Sequence, residues 1–252
     1  MQINRKTETE IVAMRESGKM LAEVLSFLST RVEPGMSTKD LADMAKHELK
    51  KLGGQPTILG YHGFPDVICV SINDEVVHGI PRQNHVIADG DIVSLDFCVT
   101  YKGMITDSAL SVIAGKTTSE VKELLLATER SLMAGISKIE PGARVGDISH
   151  AVQSELEKNR KYGIVRDLVG HGVGHEMHEE PNIPNFGKKG VGPILEPGMT
   201  LAIEPMATLG GYEVKTDPDN WTIRTLDGSW AAHFEHTVLV TDEGVDILTS
   251  RD

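Results

Sequence analysis

An internal repeat constrains the fold of this chain more than any other feature. The segment RVEPG at 31–35 recurs as KIEPG at 138–142, which is 107 residues later, and at the same offset Asp40 matches Asp147. A repeated unit is the first thing to look for in a sequence, because it sets the architecture that every local pattern must satisfy. We therefore expect two structurally similar halves, with chance recurrence of common Pro-Gly turns and amphipathic helices as the alternative.

Each Glu-Pro-Gly copy lies between two helical patterns. The first pattern follows Thr7 and Glu10, which have the spacing of a capping box. Its predicted buried face is Ile11, Met14, Gly18, Leu21, Leu25 and Leu28. The other helices are predicted near 38–51, along the apolar positions Val121, Leu124, Leu125, Thr128 and Leu132, and near 146–159. The repeat therefore includes a helix pair in each half.

A strand pattern is repeated as well. In 89–96 and in 197–204, a Gly turn is followed six residues later by an acid at the end of an apolar run, Asp96 in the first case and Glu204 in the second. Two helix-helix-strand halves of this kind fit the 252 residues without a Pro- or Ser-rich linker. The sequence predicts an α+β fold, one domain with two halves related by a pseudo-twofold axis.

Two aspartates mark a predicted β-hairpin over 92–107. If the chain turns near Tyr101, Lys102 and Gly103, Asp96 falls directly opposite Asp107. Directly opposed like charges destabilise a sheet, and a buried unpaired carboxylate is costly. A bound cation would remove the conflict, whereas a solvated hairpin with two unrelated surface acids is the alternative.

Two further acids flank apolar strands in the second half. Glu204 ends the strand at 201–203, and Glu235 opens the strand at 236–240. The pseudo-twofold that superposes Asp96 on Glu204 would bring both strands towards one axis. Four carboxylates converging on one core predict a metal site.

A Gly- and His-rich run begins at Gly170. It is not the helical zinc-protease motif, because Glu179 occupies the position of the second histidine, and it is not the dinucleotide fingerprint, because His175 replaces the third glycine. What remains is a Gly-rich loop whose backbone can come close to a neighbouring group. Three histidines are candidate functional groups with loop or core roles as the alternative, namely His78, His171 and His178.

Composition excludes several classes of protein. Twenty-five basic and 37 acidic residues give a net charge of −12, which argues against binding to nucleic acid or to an anionic membrane. Two cysteines, Cys69 and Cys98, cannot make a disulfide framework and favour a reducing compartment. No apolar run approaches the roughly 18 residues of a membrane span, and the start lacks a signal-peptide core. We expect a soluble, cytoplasmic protein.

Together these residues resemble the type I methionine aminopeptidases over nearly the whole chain. The resemblance rests on an ordered acid and histidine set and its flanking sequences, such as GHG at 170–172, HEEP at 178–181 and IEP at 203–205. It implies the pita-bread fold, with two pseudo-twofold halves around a central curved antiparallel sheet in a single catalytic domain at 1–252. It also implies a hydrolase that removes the initiator methionine when the second residue is small.

The resemblance further implies a dinuclear metal site without a thiolate. Its ligands would be Asp96, Asp107, His171, Glu204 and Glu235, with Asp107 and Glu235 bridging. Such a hard donor set suits two divalent ions, Mn²⁺, Fe²⁺ or Co²⁺, and is also compatible with Zn²⁺. Glu204 would be the general base, and two histidines would contact the substrate amide and the developing oxyanion, namely His78 and His178.

The methionine pocket is also assigned by resemblance. It would consist of Ile58, Tyr61, Phe64, Cys69, His78, Met177 and Trp221. Bacterial relatives often have Cys, Tyr and Phe where this chain has Ile58, Phe64 and Met177, so the shape of the pocket is left open. An ordinary core is the alternative for each of these residues alone.

The implied partners are the N-termini of nascent polypeptides, with the ribosome exit region as a further candidate, and the implied state is a monomer. Prolidases, creatinases and proline-specific aminopeptidases share the fold but generally carry an additional N-terminal domain. Type II methionine aminopeptidases carry an inserted helical subdomain, for which this chain has no room. Some pita-bread proteins are binding modules that have typically lost ligands, whereas all five stand here.

Overall fold

The helices follow the sequence pattern closely. The structure, a computed structural model, describes residues 3–158 and 160–251. In this part of the chain the α-helices are α1 (Glu8–Ser29), α2 (Thr38–Leu52), α3 (Ser119–Ile136) and α4 (Val145–Leu156), with a 3₁₀ turn at Tyr61–Gly63. The predicted capping box is present, because Thr7 N donates to the Glu10 carboxylate at 2.7 Å and the Thr7 side chain accepts from Glu10 N. Position 159, the end of one predicted helix, lies outside the described residues.

Helix α1 packs its apolar face into the core. Met14, Leu21, Leu25 and Leu28 are fully buried, as predicted. Gly18 lies on the same face, and a Cβ there would overlap the backbone carbonyl of Leu248, so the glycine is needed for this close approach. None of the helices in the described residues is long and apolar enough to cross a bilayer.

The strands are short except for one long hairpin. They are β1 (Gln55–Pro56), β2 (Cys69–Ile72), β3 (Glu75–Val77), β4 (Ile92–Tyr101), β5 (Met104–Ile113), β6 (Gly163–Ile164), β7 (Gly170–Gly172), β8 (Glu179–Ile183), β9 (Thr200–Ile203), β10 (Met206–Thr208), β11 (Val214–Thr216), β12 (Ile223–Thr225), β13 (Ala231–His233), β14 (His236–Thr241) and β15 (Gly244–Ile247). The hairpin pairs β4 with β5 over ten residues each.

All the strand pairs are antiparallel. In the first half, β4 pairs with β1 and β2 along one edge and with β5 along the other. In the second half, the order is β15-β14-β9-β7-β8. Two smaller sheets, β13-β10-β6 and β11-β12-β3, lie beside them. The helices and sheets thus form the predicted α+β arrangement.

The repeat is visible in the hydrogen bonds. Gly35 N donates to Ile87 O at 2.8 Å, and Gly142 N donates to Leu195 O at 2.9 Å. Both glycines have positive φ, 94° and 88°, which other residues rarely adopt. A second pair of matching bonds lies just before β4 and β9, from Gly90 N to Ala114 O and from Gly198 N to Val240 O. The two halves therefore share a backbone framework as well as a sequence motif.

The register predicted for the β4–β5 hairpin is wrong by two residues. Asp96 lies opposite Ala109, and Asp107 lies opposite Cys98. The reason is the turn, because Lys102 and Gly103 both have positive φ and make a two-residue connection of the kind that matches strand twist. A shift of two residues keeps every side chain on its face, so the two aspartates still share one face of the sheet.

The two halves meet where β5 contacts the start of β14. Glu235 N donates to Ala109 O at 2.9 Å. Thr237 Oγ1 accepts from Asp107 N at 2.9 Å and donates to Asp107 O at 2.7 Å, while Ser108 Oγ donates to Glu235 O at 2.6 Å. These bonds hold Asp107 of the first half close to Glu235 of the second half.

Candidate metal centre and active site

The five predicted ligands come from both halves. Asp96 lies on β4, Asp107 on β5 and His171 on β7, while Glu204 directly follows β9 and Glu235 directly precedes β14. Asp107, His171 and Glu235 are almost completely buried. The strands thus bring together residues that are up to 139 positions apart in the sequence.

The ligand atoms form two overlapping groups. Those of Asp107, His171 and Glu235 all lie within 4.8 Å of one another, and so do those of Asp96, Cys98 and Asp107. Asp107 belongs to both groups. Glu204 joins the first group, because its Oε1 atom lies 3.3 Å from His171 Nε2.

Burial and mutual repulsion disfavour negative charge on the carboxylates. Burial raises the pKa of Asp107 to about 6. Burial first, and then the neighbouring carboxylates, raise the pKa values of Asp96, Glu204 and Glu235 well above their usual range. Among the described residues, Asp107 Oδ1 and Glu235 Oε1 are buried without a hydrogen-bond partner. Clustered acids with unsatisfied oxygens are expected where a cation binds.

His171 is oriented for ligation. Its Nδ1 lies 2.9 Å from Gly172 O, so Nδ1 carries the proton and donates to this carbonyl. Nε2 then presents a lone pair towards Glu204, an arrangement that a cation between the two groups would stabilise. Burial lowers the pKa of His171 to about 3, which keeps the ring neutral.

The other two predicted histidines border this cluster. The ring centroid of His178 lies 4.5 Å from that of His171, and Tyr61 Oη lies 3.4 Å from His178 Nδ1. His78 has a φ of 60°, an unusual backbone conformation for a residue other than glycine. Burial, and then His178, lower the pKa of His78 to about 4, while burial lowers the pKa of His178.

A buried ion pair holds the loop that carries His178. Lys6 Nζ lies 2.5 Å from Glu179 Oε2, and the two side chains are only 1% and 5% exposed. The other carboxylate oxygen, Oε1, accepts from His175 N at 2.6 Å and from Glu176 N at 3.0 Å. The N-terminal segment therefore fixes the turn before His178, a contact that sequence patterns did not predict.

The predicted pocket residues form one apolar cluster. Its buried members are Ile58, Phe64, Cys69, Cys98 and Met177, and its partly buried members are Tyr61, Ile80 and Trp221. The rings of Phe64 and Trp221 meet edge to face at 5.1 Å, and His78 lies 6.3 Å from Trp221. The cluster includes Cys98, whose thiol also reaches the acids, so it adjoins the ligand set directly.

Sequence reasoning missed two residues at the site. Cys98 has a donor atom within 4.8 Å of those of Asp96 and Asp107, a position that the prediction of a site without thiolate did not consider. The correct hairpin register would have revealed it. His233 Nε2 lies 3.7 Å from Glu204 Oε2, which is too long for a hydrogen bond. Neither ring nitrogen of His233 has a hydrogen-bond partner within the described residues. Its nearness to Glu235 in the sequence, two residues away, was the available signal.

Comparison with known proteins agrees with this geometry. Residues 12–242 match metallopeptidase family M24. The methionine aminopeptidase 1 of Bacillus subtilis is 47% identical over 244 residues, which cover 97% of this chain and 98% of that protein. The methionine aminopeptidase of Clostridium acetobutylicum is 46% identical, with 97% of each chain covered.

Solved structures agree as well. The crystal structure of methionine aminopeptidase from Thermotoga maritima has a TM-score of 0.97 and 44% identity, and the match covers 99% of this chain and 100% of that one. A prolidase from Pyrococcus furiosus shares the fold at a TM-score of 0.76 and 18% identity, with 66% of its length covered. The predicted pita-bread fold is confirmed, and the chain belongs to metallopeptidase family M24 and, within it, to the methionine aminopeptidases.

Proposed function

We propose that this chain removes N-terminal methionine from polypeptides whose second residue is small, using two divalent ions. The observation that carries the proposal is the cluster of four carboxylates and one imidazole, in which two buried carboxylate oxygens lack partners among the described residues. The whole chain, 1–252, would act as one catalytic domain, because both halves contribute acids to the cluster.

The donor set suits divalent ions. Asp96, Asp107 and Glu235 would hold one ion, and Asp107, His171, Glu204 and Glu235 the other. Oxygen and imidazole donors suit Mn²⁺, Fe²⁺ or Co²⁺, and Zn²⁺ is compatible. When bound, the pair would polarise the scissile carbonyl and lower the pKa of a water molecule.

Glu204 is the proposed general base. Its carboxylate borders the ligand cluster and lies beside two neutral histidines, His171 at 3.3 Å and His233 at 3.7 Å. Proton acceptance by such a group contributes roughly 10²–10⁴-fold to rate. His78 and His178 would donate hydrogen bonds to the substrate amide and the developing oxyanion.

The apolar cluster is the proposed methionine pocket. Phe64, Cys69 and Met177 are buried in this cluster, and the ring of Trp221 contacts that of Phe64 edge to face. Flexible thioethers pack well against such aromatic and sulfur-containing surfaces. A methionine side chain held there would bring the first peptide bond towards Asp107 and Glu204.

In the cell, we propose that the substrates are the N-termini of nascent polypeptides in the cytoplasm, with the ribosome exit region as a candidate partner and a monomer as the active state. The net charge of −12 disfavours direct binding to nucleic acid or to an anionic membrane.

A peptide assay tests the proposal. Protein treated with a chelator is incubated with Met-Ala-Ser in the presence of Mn²⁺ or Co²⁺, and release of the dipeptide Ala-Ser, the product common to this peptide and its control, is measured. The matched control peptide is acetyl-Met-Ala-Ser, which lacks the free amine. Metal-dependent release from the first peptide alone supports the proposal, whereas cleavage of both, or of neither, contradicts it.

A further inference from the structure

The thiol of Cys98 lies among the acids. The register of the hairpin places Cys98 directly opposite Asp107 and on the same sheet face as Asp96. One donor atom from each of the three side chains lies within 4.8 Å of the other two. Cys98 is 3% exposed and Asp107 is 5% exposed, so water competes little for these donors.

A second observation at this place points to a cation. Asp107 Oδ1 is buried and has no hydrogen-bond partner within the described residues. Cys98 is the residue directly opposite Asp107 in the hairpin, and a thiol is only a weak hydrogen-bond donor, so it satisfies this carboxylate poorly. An ion bound here would satisfy all three side chains at once.

We propose that Cys98 is a ligand of the ion held by Asp96 and Asp107, and that it shifts the preference of this half of the site towards softer divalent ions such as Zn²⁺ and Cd²⁺. The inference rests on the proposed metal site and deepens it. Binding forms a metal–sulfur bond and breaks the S–H bond, and the proton passes to solvent. No change of oxidation state is involved.

The chemical reason is the softness of sulfur. Thiolate favours Zn²⁺ and related ions, whereas carboxylate and water favour Mn²⁺. A donor set of oxygen and nitrogen alone would favour the softer ions over Mn²⁺ less strongly than a set that includes sulfur. One thiolate therefore changes which ions the site selects, without changing the charge that the carboxylates supply.

The test is spectroscopic and does not depend on peptide cleavage. Chelator-treated protein is titrated with Co²⁺, and the near-ultraviolet charge-transfer absorption from thiolate to metal is recorded. The variant is Cys98→Ser, which keeps the size and a hydrogen-bond donor towards Asp107. The matched control is Cys69→Ser, because Cys69 is the other buried cysteine of the same apolar cluster and is not among the three converging donors.

We expect the absorption in the unmodified protein and in Cys69→Ser, and its loss in Cys98→Ser. Competition titrations should show that Cys98→Ser weakens Cd²⁺ binding by at least the roughly 10–100-fold typical of losing a supporting group at a metal site, with a smaller effect on Mn²⁺. Absence of the absorption in the unmodified protein, or its persistence in Cys98→Ser, would overturn the assignment.

The same samples separate this inference from the proposed function. Methionine release from Met-Ala-Ser with Mn²⁺ is measured in parallel for the unmodified protein. Release without a thiolate absorption would refute the role of Cys98 and leave the proposed activity standing. An absorption without release would refute the activity and leave the ligand assignment standing.

Discussion

Replacing Asp107 by asparagine should have opposite effects on stability and on metal binding. Burial raises the pKa of Asp107 from 3.8 to about 6. Because the folded state holds this proton more tightly than the unfolded chain, the stabilisation is fully present below pH 3.8 and is lost as the pH rises through about 6. A difference of this size corresponds to roughly 3 kcal/mol, since each pKa unit is worth about 1.4 kcal/mol.

At pH 8, the metal-free unmodified protein must keep Asp107 as a buried charged carboxylate, whereas the asparagine of Asp107→Asn is neutral. The variant should therefore be more stable than the unmodified protein, by up to about 3 kcal/mol. At pH 4 the advantage should shrink towards zero. Added Mn²⁺ should reverse the order at pH 8, because an ion that binds only the folded unmodified protein adds its binding free energy to stability.

The assay is urea unfolding of chelator-treated protein at pH 4 and pH 8, with and without Mn²⁺, together with metal analysis. Asparagine has nearly the same size and shape as aspartate and carries no charge, so the substitution removes the charge with little change in packing. If the variant is destabilised equally at both pH values, the buried charge of Asp107 does not lower stability. If the variant retains its metal, Asp107 is not a ligand. Either result refutes the reasoning.

Four further outcomes follow from the structure. Glu204→Gln should lower kcat by at least about 10²-fold with a smaller change in substrate binding, and an unchanged kcat at saturating substrate would remove Glu204 as the base. Across tripeptides under one metal condition, Met-Ala should exceed Met-Phe by about 10²-fold in kcat/KM, because a displacement near 1 Å has that cost, and equal values would refute the size limit. Lys6→Met should lower the free energy of unfolding in urea by about 3–5 kcal/mol, because it leaves the buried charge of Glu179 without its cation, and Lys6→Met combined with Glu179→Gln should recover much of this loss. Gly18→Ala should cost roughly 1–3 kcal/mol through overlap with Leu248, and a neutral result would show that the C-terminal segment yields easily.

Features that depend on short-range sequence patterns were predicted correctly. Caps and apolar periodicity placed the helices, and the repeated Glu-Pro-Gly predicted two halves whose hydrogen bonds indeed correspond. The hairpin was found but its register was not. Lys102 is not a residue that usually signals positive φ, so the two-residue turn with Gly103 had no distinctive signature.

Contacts between distant segments were the part that sequence could not supply. Lys6 and Glu179 are 173 residues apart, and nothing in the composition around either one indicates a buried partner. His233 was missed for a similar reason, since its orientation towards Glu204 depends on how β13 packs against β10. Family resemblance supplied the proposed ligand set because it carries three-dimensional information that periodicity lacks.

The hydrogen bonds between Asp107 and Thr237 join β5 of the first half to β14 of the second. In the proposed metal site, an ion coordinated by acids of both halves would add its binding free energy to their association, and the association in turn would bring the acids together for the ion. Because this linkage is reciprocal, any change that loosens the contact between β5 and β14 also weakens metal affinity, even when every ligand is intact. Occupancy of the proposed metal site would therefore report how tightly the two halves of the chain are packed against each other.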